Sequence, residues 1–118
     1  MNTFLAIMLA LTFKTDLLPL AHLYQNIDTL IPNAQRLVDL PVKKDLALKL
    51  TVDGSNRGDV DCYVLEHNHH GYGWVIVSKD ESALNQCRLT YTPTTDLVRV
   101  WVVNHGSYPT NYDLVVDQ

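Results

Sequence analysis

From residue 34 to the end of the chain, apolar and polar residues alternate with a period of two, as in strands with one buried face and one wet face. Leu46, Leu48, Leu50 and Val52 alternate with Ala47, Lys49 and Thr51, which predicts a strand turning its leucines and valine into a core. Val60, Cys62 and Val64 alternate in the same way with Asp59 and Asp61, directly after Gly58, in a strand running to Glu66. Leu37–Leu40 is a short strand stopped by Pro41, Trp74–Val77 another, and Cys87, Leu89 and Tyr91 mark a third that Pro93 closes. Leu97–Val103 is apolar on both faces and is expected in the middle of a sheet, and Tyr112, Leu114 and Val116 form the last strand. Between them lie turn clusters. In 53–58, Gly54 and Gly58 suit positive φ, and 67–71 and 104–109 are polar. Past residue 34 no segment has helical period, so the pattern predicts an all-β fold: an antiparallel sandwich or jelly roll of about seven or eight strands.

The first residues differ. Phe4 to Phe13 is a nearly unbroken apolar run of about ten residues, shorter than the roughly 20 that a bilayer span requires. It fits the hydrophobic region of a secretory signal peptide, or else a buried N-terminal helix. We therefore read 1–21 as a signal peptide or helix, 22–33 as a linker with a turn at Ile31-Pro32-Asn33, and 34–118 as the β domain; Leu17, Leu18 and Leu20 to Ile27 could form a short helix across the first boundary. Export places the protein in a secreted or periplasmic setting, with no stable membrane span.

Composition sets outer limits. A length of 118 residues with 47% hydrophobic content fits one domain with a core. The net charge of −4, with Lys43-Lys44 as the single basic doublet, argues against nucleic acid as a partner.

The order of these segments also carries a resemblance. GDVDCYVLE, a loop, an aromatic strand, SKDES, an Asn-x-Cys step, LTYTP, a VWVVNHG turn and a closing YDLVV follow one another. Over residues 33–118 this resembles the bacterial pre-peptidase C-terminal (PPC-like) domain in its small stand-alone form. The resemblance implies a compact exported β-sandwich that is not catalytic, serves attachment or secretion, and in some members holds calcium. It also implies that the strands carrying Cys62 and Cys87 lie close together, so that the two thiols form a disulfide. The alternative is two free buried thiols acting as small hydrophobes.

Other candidate sites follow from the residues. Asp59 and Asp61 on one strand face, with Asp80, Glu81 and Asn85 in one loop, could supply oxygens to calcium. Alternatively they form a solvated acidic edge that caps turns. Their spacing is not that of an EF-hand. His67, His69 and His70 beside Glu66 suit zinc or copper by chemistry, or simply a wet hairpin tip, and no HExxH pattern accompanies them. Arg57-Gly58-Asp59 spells an integrin-recognition tripeptide, a match with little information. Trp101 is out of phase with Val98, Val100 and Val102 and so faces the other way, where with Trp74 or Tyr72 it would form a binding patch. The sequence offers no convergent nucleophile, base and oxyanion donors. The expectation is an exported non-catalytic binding or attachment module for a protein, polysaccharide or envelope surface, with no cofactor unless calcium. The alternatives are a calcium-stabilised structural module with no other ligand, and a small enzyme.

Overall fold

The computed structural model describes residues 21–55 and 58–118. The proposed leader therefore lies outside the described residues except for Ala21, and Arg57 of the tripeptide lies outside them too. The elements are β1 (Tyr24–Leu30), β2 (Gln35–Pro41), β3 (Leu48–Gly54), β4 (Val60–His67), β5 (Trp74–Asp80), β6 (Gln86–Tyr91), β7 (Leu97–Asn104) and β8 (Thr110–Asp117). They form two four-stranded antiparallel sheets, ordered β1-β8-β3-β6 and β2-β7-β4-β5. β1 pairs with β8, β2 with β7, β3 with β6 and β4 with β5. The described chain is thus one long hairpin rolled into two layers, the eight-stranded jelly-roll arrangement. Among the described residues no helix is long and apolar enough to cross a membrane.

The inward positions of the alternating strands meet between the layers. Leu48, Leu50 and Val52 of β3, Val60, Cys62 and Val64 of β4, Val98, Val100 and Val102 of β7, and Tyr112, Leu114 and Val116 of β8 are all buried. Cys62 of β4 and Cys87 of β6 form a disulfide that ties one sheet to the other, with Cα atoms 6.2 Å apart. β7 lies inside its sheet, as its two apolar faces predicted. Leu46, expected to start the inward row of β3, is 43% exposed, because the strand begins only at Leu48.

The largest correction concerns residues 22–33. Tyr24–Leu30 is a strand of the sandwich, neither helix nor linker; only Ile31 to Asn33 turns, with Asn33 at φ 64°. Hydrophobic alternation missed it because its inward positions are mixed: Tyr24 and Leu30 pack on the core, but Asn26 and Asp28 lie between them. Ile27 points outward and is 71% exposed, while the inward-leaning Asn26 donates to the Tyr112 hydroxyl at 2.9 Å. Its partners hold it instead: seven residues in register with β8, and Asp28 paired with Arg36 of β2. Gly54 corrects a smaller expectation. Its role is space rather than positive φ, since a Cβ there would sit 2.8 Å from the Asn85 carbonyl oxygen.

Candidate functional site

The strand that the acidic alternation marked is buried on both faces. Residues 60–66 of β4 are all buried, although only Val60, Cys62 and Val64 belong to the main core. The outward residues Tyr63 and Leu65 join Val103 in a second, smaller cluster, with Trp74 and Trp101 packed on it. This cluster forms the outer face of the β2-β7-β4-β5 sheet. Strand register sets its rows: Leu37, Trp101, Tyr63 and Lys79 lie side by side, and Asp39, Arg99, Leu65 and Ile76 form the next row.

The contacts within this face are specific. The Tyr63 and Trp101 rings stack at 4.5 Å with 29° between their planes. The Trp101 Nε1–H donates to Gln35 Oε1 at 2.9 Å. The Arg99 guanidinium lies 4.2 Å over the Trp74 ring and makes two hydrogen bonds to Asp39, at 2.6 and 3.0 Å. His67 meets the same indole edge-on at 5.5 Å. Tyr63 donates to Glu81 at 3.0 Å, and Lys79 pairs with Glu81 at 2.7 Å. Burial, together with the Glu81 carboxylate and the Asp61 charge, pushes the Tyr63 phenol up to about 12, so it remains a donor at physiological pH. The Arg99 hydrogen bonds hold the Asp39 carboxyl below its usual range. Around these groups Leu37, Ile76 and Leu97 are 48%, 45% and 42% exposed.

Of the expected patch, Trp74 and Trp101 share this face, both half-buried; Tyr72 stands fully exposed in the β4–β5 loop. One face of each indole is already occupied inside the protein, by Tyr63 for Trp101 and by Arg99 for Trp74. Tyr63, Arg99, Gln35 and Leu37 were missed as members. Tyr63 was legible, since it follows Asp61 by two on one face, and so was Arg99, two residues before Trp101; Gln35 and Leu37 need the register of β2 against β7.

Several residues of the calcium reading are engaged by the protein's own groups. Asp80 turns to the backbone N–H groups of Ser82 and Arg88, at 3.1 and 3.0 Å. Burial alone would raise its pKa, but these bonds outweigh it and lower it. Asn85 donates to the Gly54 carbonyl at 3.2 Å, and Glu81 holds Tyr63 and Lys79. Among the described residues no three Asp, Glu, His or Cys side chains stand together in a way that could hold a metal ion. His67, His69 and His70 are exposed around the hairpin tip. Among the described residues the Oδ1 atoms of Asp59 and Asp61 are out of contact with solvent and have no hydrogen-bond partner, so one oxygen of the Asp59 carboxylate is withheld from an adhesion receptor.

Asp61 is therefore an unfavourably placed acid. Burial raises its pKa first, then the charge of Asp59, with smaller contributions from Glu81 and Asp80; His105, 3.2 Å away, offsets this only in part. A raised carboxyl pKa contributes stability that is complete below the unfolded value, about 3.9, and is lost as pH rises through the folded value. Asp61→Asn should flatten the fall of stability above pH 4, as followed by urea unfolding across pH. An unchanged slope would mean that Asp61 is not the titrating group.

A second carboxylate is placed favourably. Glu66 at the inner end of β4 is buried and accepts from the Tyr91 hydroxyl, from the Thr94 N–H at 2.8 Å, and from the Thr94 and Thr95 hydroxyls. Burial opposes its charge, yet these donors together lower its pKa. Its role is to fasten the β6–β7 loop.

No family model matches this chain, and no curated protein does. Among solved structures, the chain is similar to the Yersinia pseudotuberculosis-derived mitogen (YPM), with a TM-score of 0.61 and 17% sequence identity, over 80% of this chain and 83% of that one. At that identity the likeness concerns the sandwich fold alone.

Proposed function

We propose that this chain is a non-catalytic protein-binding module that acts in an oxidising, exported setting and engages its partner with the outer face of the β2-β7-β4-β5 sheet. The observation that carries the reading is the composition of that face. Half-buried Trp74 and Trp101 and buried Tyr63 stand beside exposed Leu37, Ile76 and Leu97. The charges among them, Arg99 with Asp39 and Lys79 with Glu81, already pair with each other. Aromatic and aliphatic groups with an arginine and a satisfied polar rim suit a protein surface. A polysaccharide is less well served, because each indole has already given one flat face to a neighbour. The Cys62–Cys87 disulfide supports export, since such bonds persist where thiols are not kept reduced. The non-catalytic reading rests on the use of the titratable groups: Glu66, Asp80 and Glu81 are engaged in holding loops and a tyrosine.

A photo-reactive residue at Leu37 tests this in the producing cells, with one at Ile27, exposed on the other sheet, as control. The expected result is a protein adduct of defined mass from position 37 alone, abolished by Leu97→Asp on the same face. Equal labelling from both positions, or survival of the adduct in Leu97→Asp, would sink the proposal.

A further inference from the structure

Two sheets leave four edges: β1 and β6 in one, β2 and β5 in the other. Exposed edges invite another strand, and natural proteins blunt them with charges, proline or a covering contact. β1 and β2 are linked to one another by Asp28 and Arg36, and β2 also carries Asp39 and ends at Pro41. β6 carries Arg88 at its centre, paired with Asp53 at 2.6 Å. The C-terminal end of β5 is covered by β6, where the Arg88 N–H bonds Asp80. The first half of β5 has none of these devices. Trp74-Val75-Ile76-Val77 contains no charge and no proline, and Val75 and Ile76, on opposite faces, are each 45% exposed. Among the described residues β5 pairs only with β4, so the other row of its N–H and C=O groups faces outward.

We propose that this half-strand is a pairing edge whose occupant is a second copy of the same chain, antiparallel to it about a two-fold axis at Val75. The register follows from two facts. A bulge at Val77 splits the β4–β5 ladder, with Leu65 opposite Ile76 but Val64 opposite Ser78, so the uncovered part of β5 is the regular stretch Trp74 to Ile76, apart from the covered stretch Ser78 to Asp80. Within it, a centre at Val75 sets that valine against itself and sets Trp74 against Ile76 of the second copy, an aromatic to β-branched pair of the kind that stabilises sheets. No charge meets a like charge, and the first lysine, Lys79, lies beyond the pairing. A two-fold interface must complement itself, and this short apolar segment does so in that register. The union joins two four-stranded sheets edge to edge and makes their outer faces continuous. It stands apart from the protein-binding proposal, which needs only one copy.

Sedimentation velocity of the full chain over rising concentration is the test, with Val75→Lys as the edge-blocking variant and circular dichroism to confirm that the variant remains folded. Dimer is expected in the wild type, with association at least tenfold weaker in Val75→Lys. Directly opposed Cα atoms lie about 4.5–5.5 Å apart, within reach of a disulfide. Val75→Cys should therefore oxidise to a covalent dimer, and Ile27→Cys on the β1 edge should not. A wild type that remains monomeric to roughly 100 µM, a Val75→Lys that associates as well as wild type, or cross-linking at position 27 as fast as at 75, each overturns the proposal.

Discussion

Reducing the Cys62–Cys87 bond should lower the stability of the fold by about 3 kcal/mol, the chain-entropy value for a loop of this size. The bond closes a separation of 25 residues and links β4 in one sheet to β6 in the other. Within that loop lies β5, the strand with the most exposed apolar positions in its sheet, so the bond also limits how far that edge can separate while unfolded. For a domain of this length the loss corresponds to a drop in Tm on the order of 12 °C or more. Urea unfolding with and without reductant measures it, and alkylation before reduction should label neither cysteine. A change below about 1 kcal/mol would show that the sheets hold together without the bond.

The second large effect concerns Leu48. Leu48→Ala should cost about 2–5 kcal/mol, since the side chain is 1% exposed and the cavity left behind would lie between the layers. Leu46→Ala, two residues earlier and 43% exposed, should stay within about 0.5 kcal/mol. The pair of substitutions tests where β3 begins. Similar losses at both positions would place the start of the strand at Leu46, as plain alternation suggests.

These cases show what the residues revealed by themselves. β3, β4, β6, β7 and β8 were legible because each sets an apolar face against a polar one, or is apolar on both, and the core sits where those faces meet. β1 was not, because Asn26 and Asp28 interrupt its inward row between Tyr24 and Leu30 and its isoleucine points to water. What fixes it is pairing with a strand more than eighty residues later in the chain, information that no local window contains. Glu66 was illegible for a related reason. A charged residue at the end of a strand reads as solvated, and only the arrival of Tyr91, Thr94 and Thr95 makes it an internal acceptor. The outer face was half legible. The phase of Trp101 gave its direction, but Arg99 over Trp74 and Gln35 beside Trp101 depend on which strands become neighbours. Of the residues proposed for calcium, Asp80 and Asn85 bond to backbone groups around them and Glu81 holds Tyr63 and Lys79, engagements that depend on the folded neighbours and not on the local pattern.

The rolled-hairpin connectivity has a kinetic consequence. β4 and β5 are separated by one short loop, whereas β1 must find β8 across nearly the whole described chain. Closing a contact costs entropy that grows with the length of chain enclosed, so each pairing is cheapest once the one inside it has formed. Zippering from the bend toward the tails is the low-cost order, and such distant pairings place the protein among slow folders rather than fast ones.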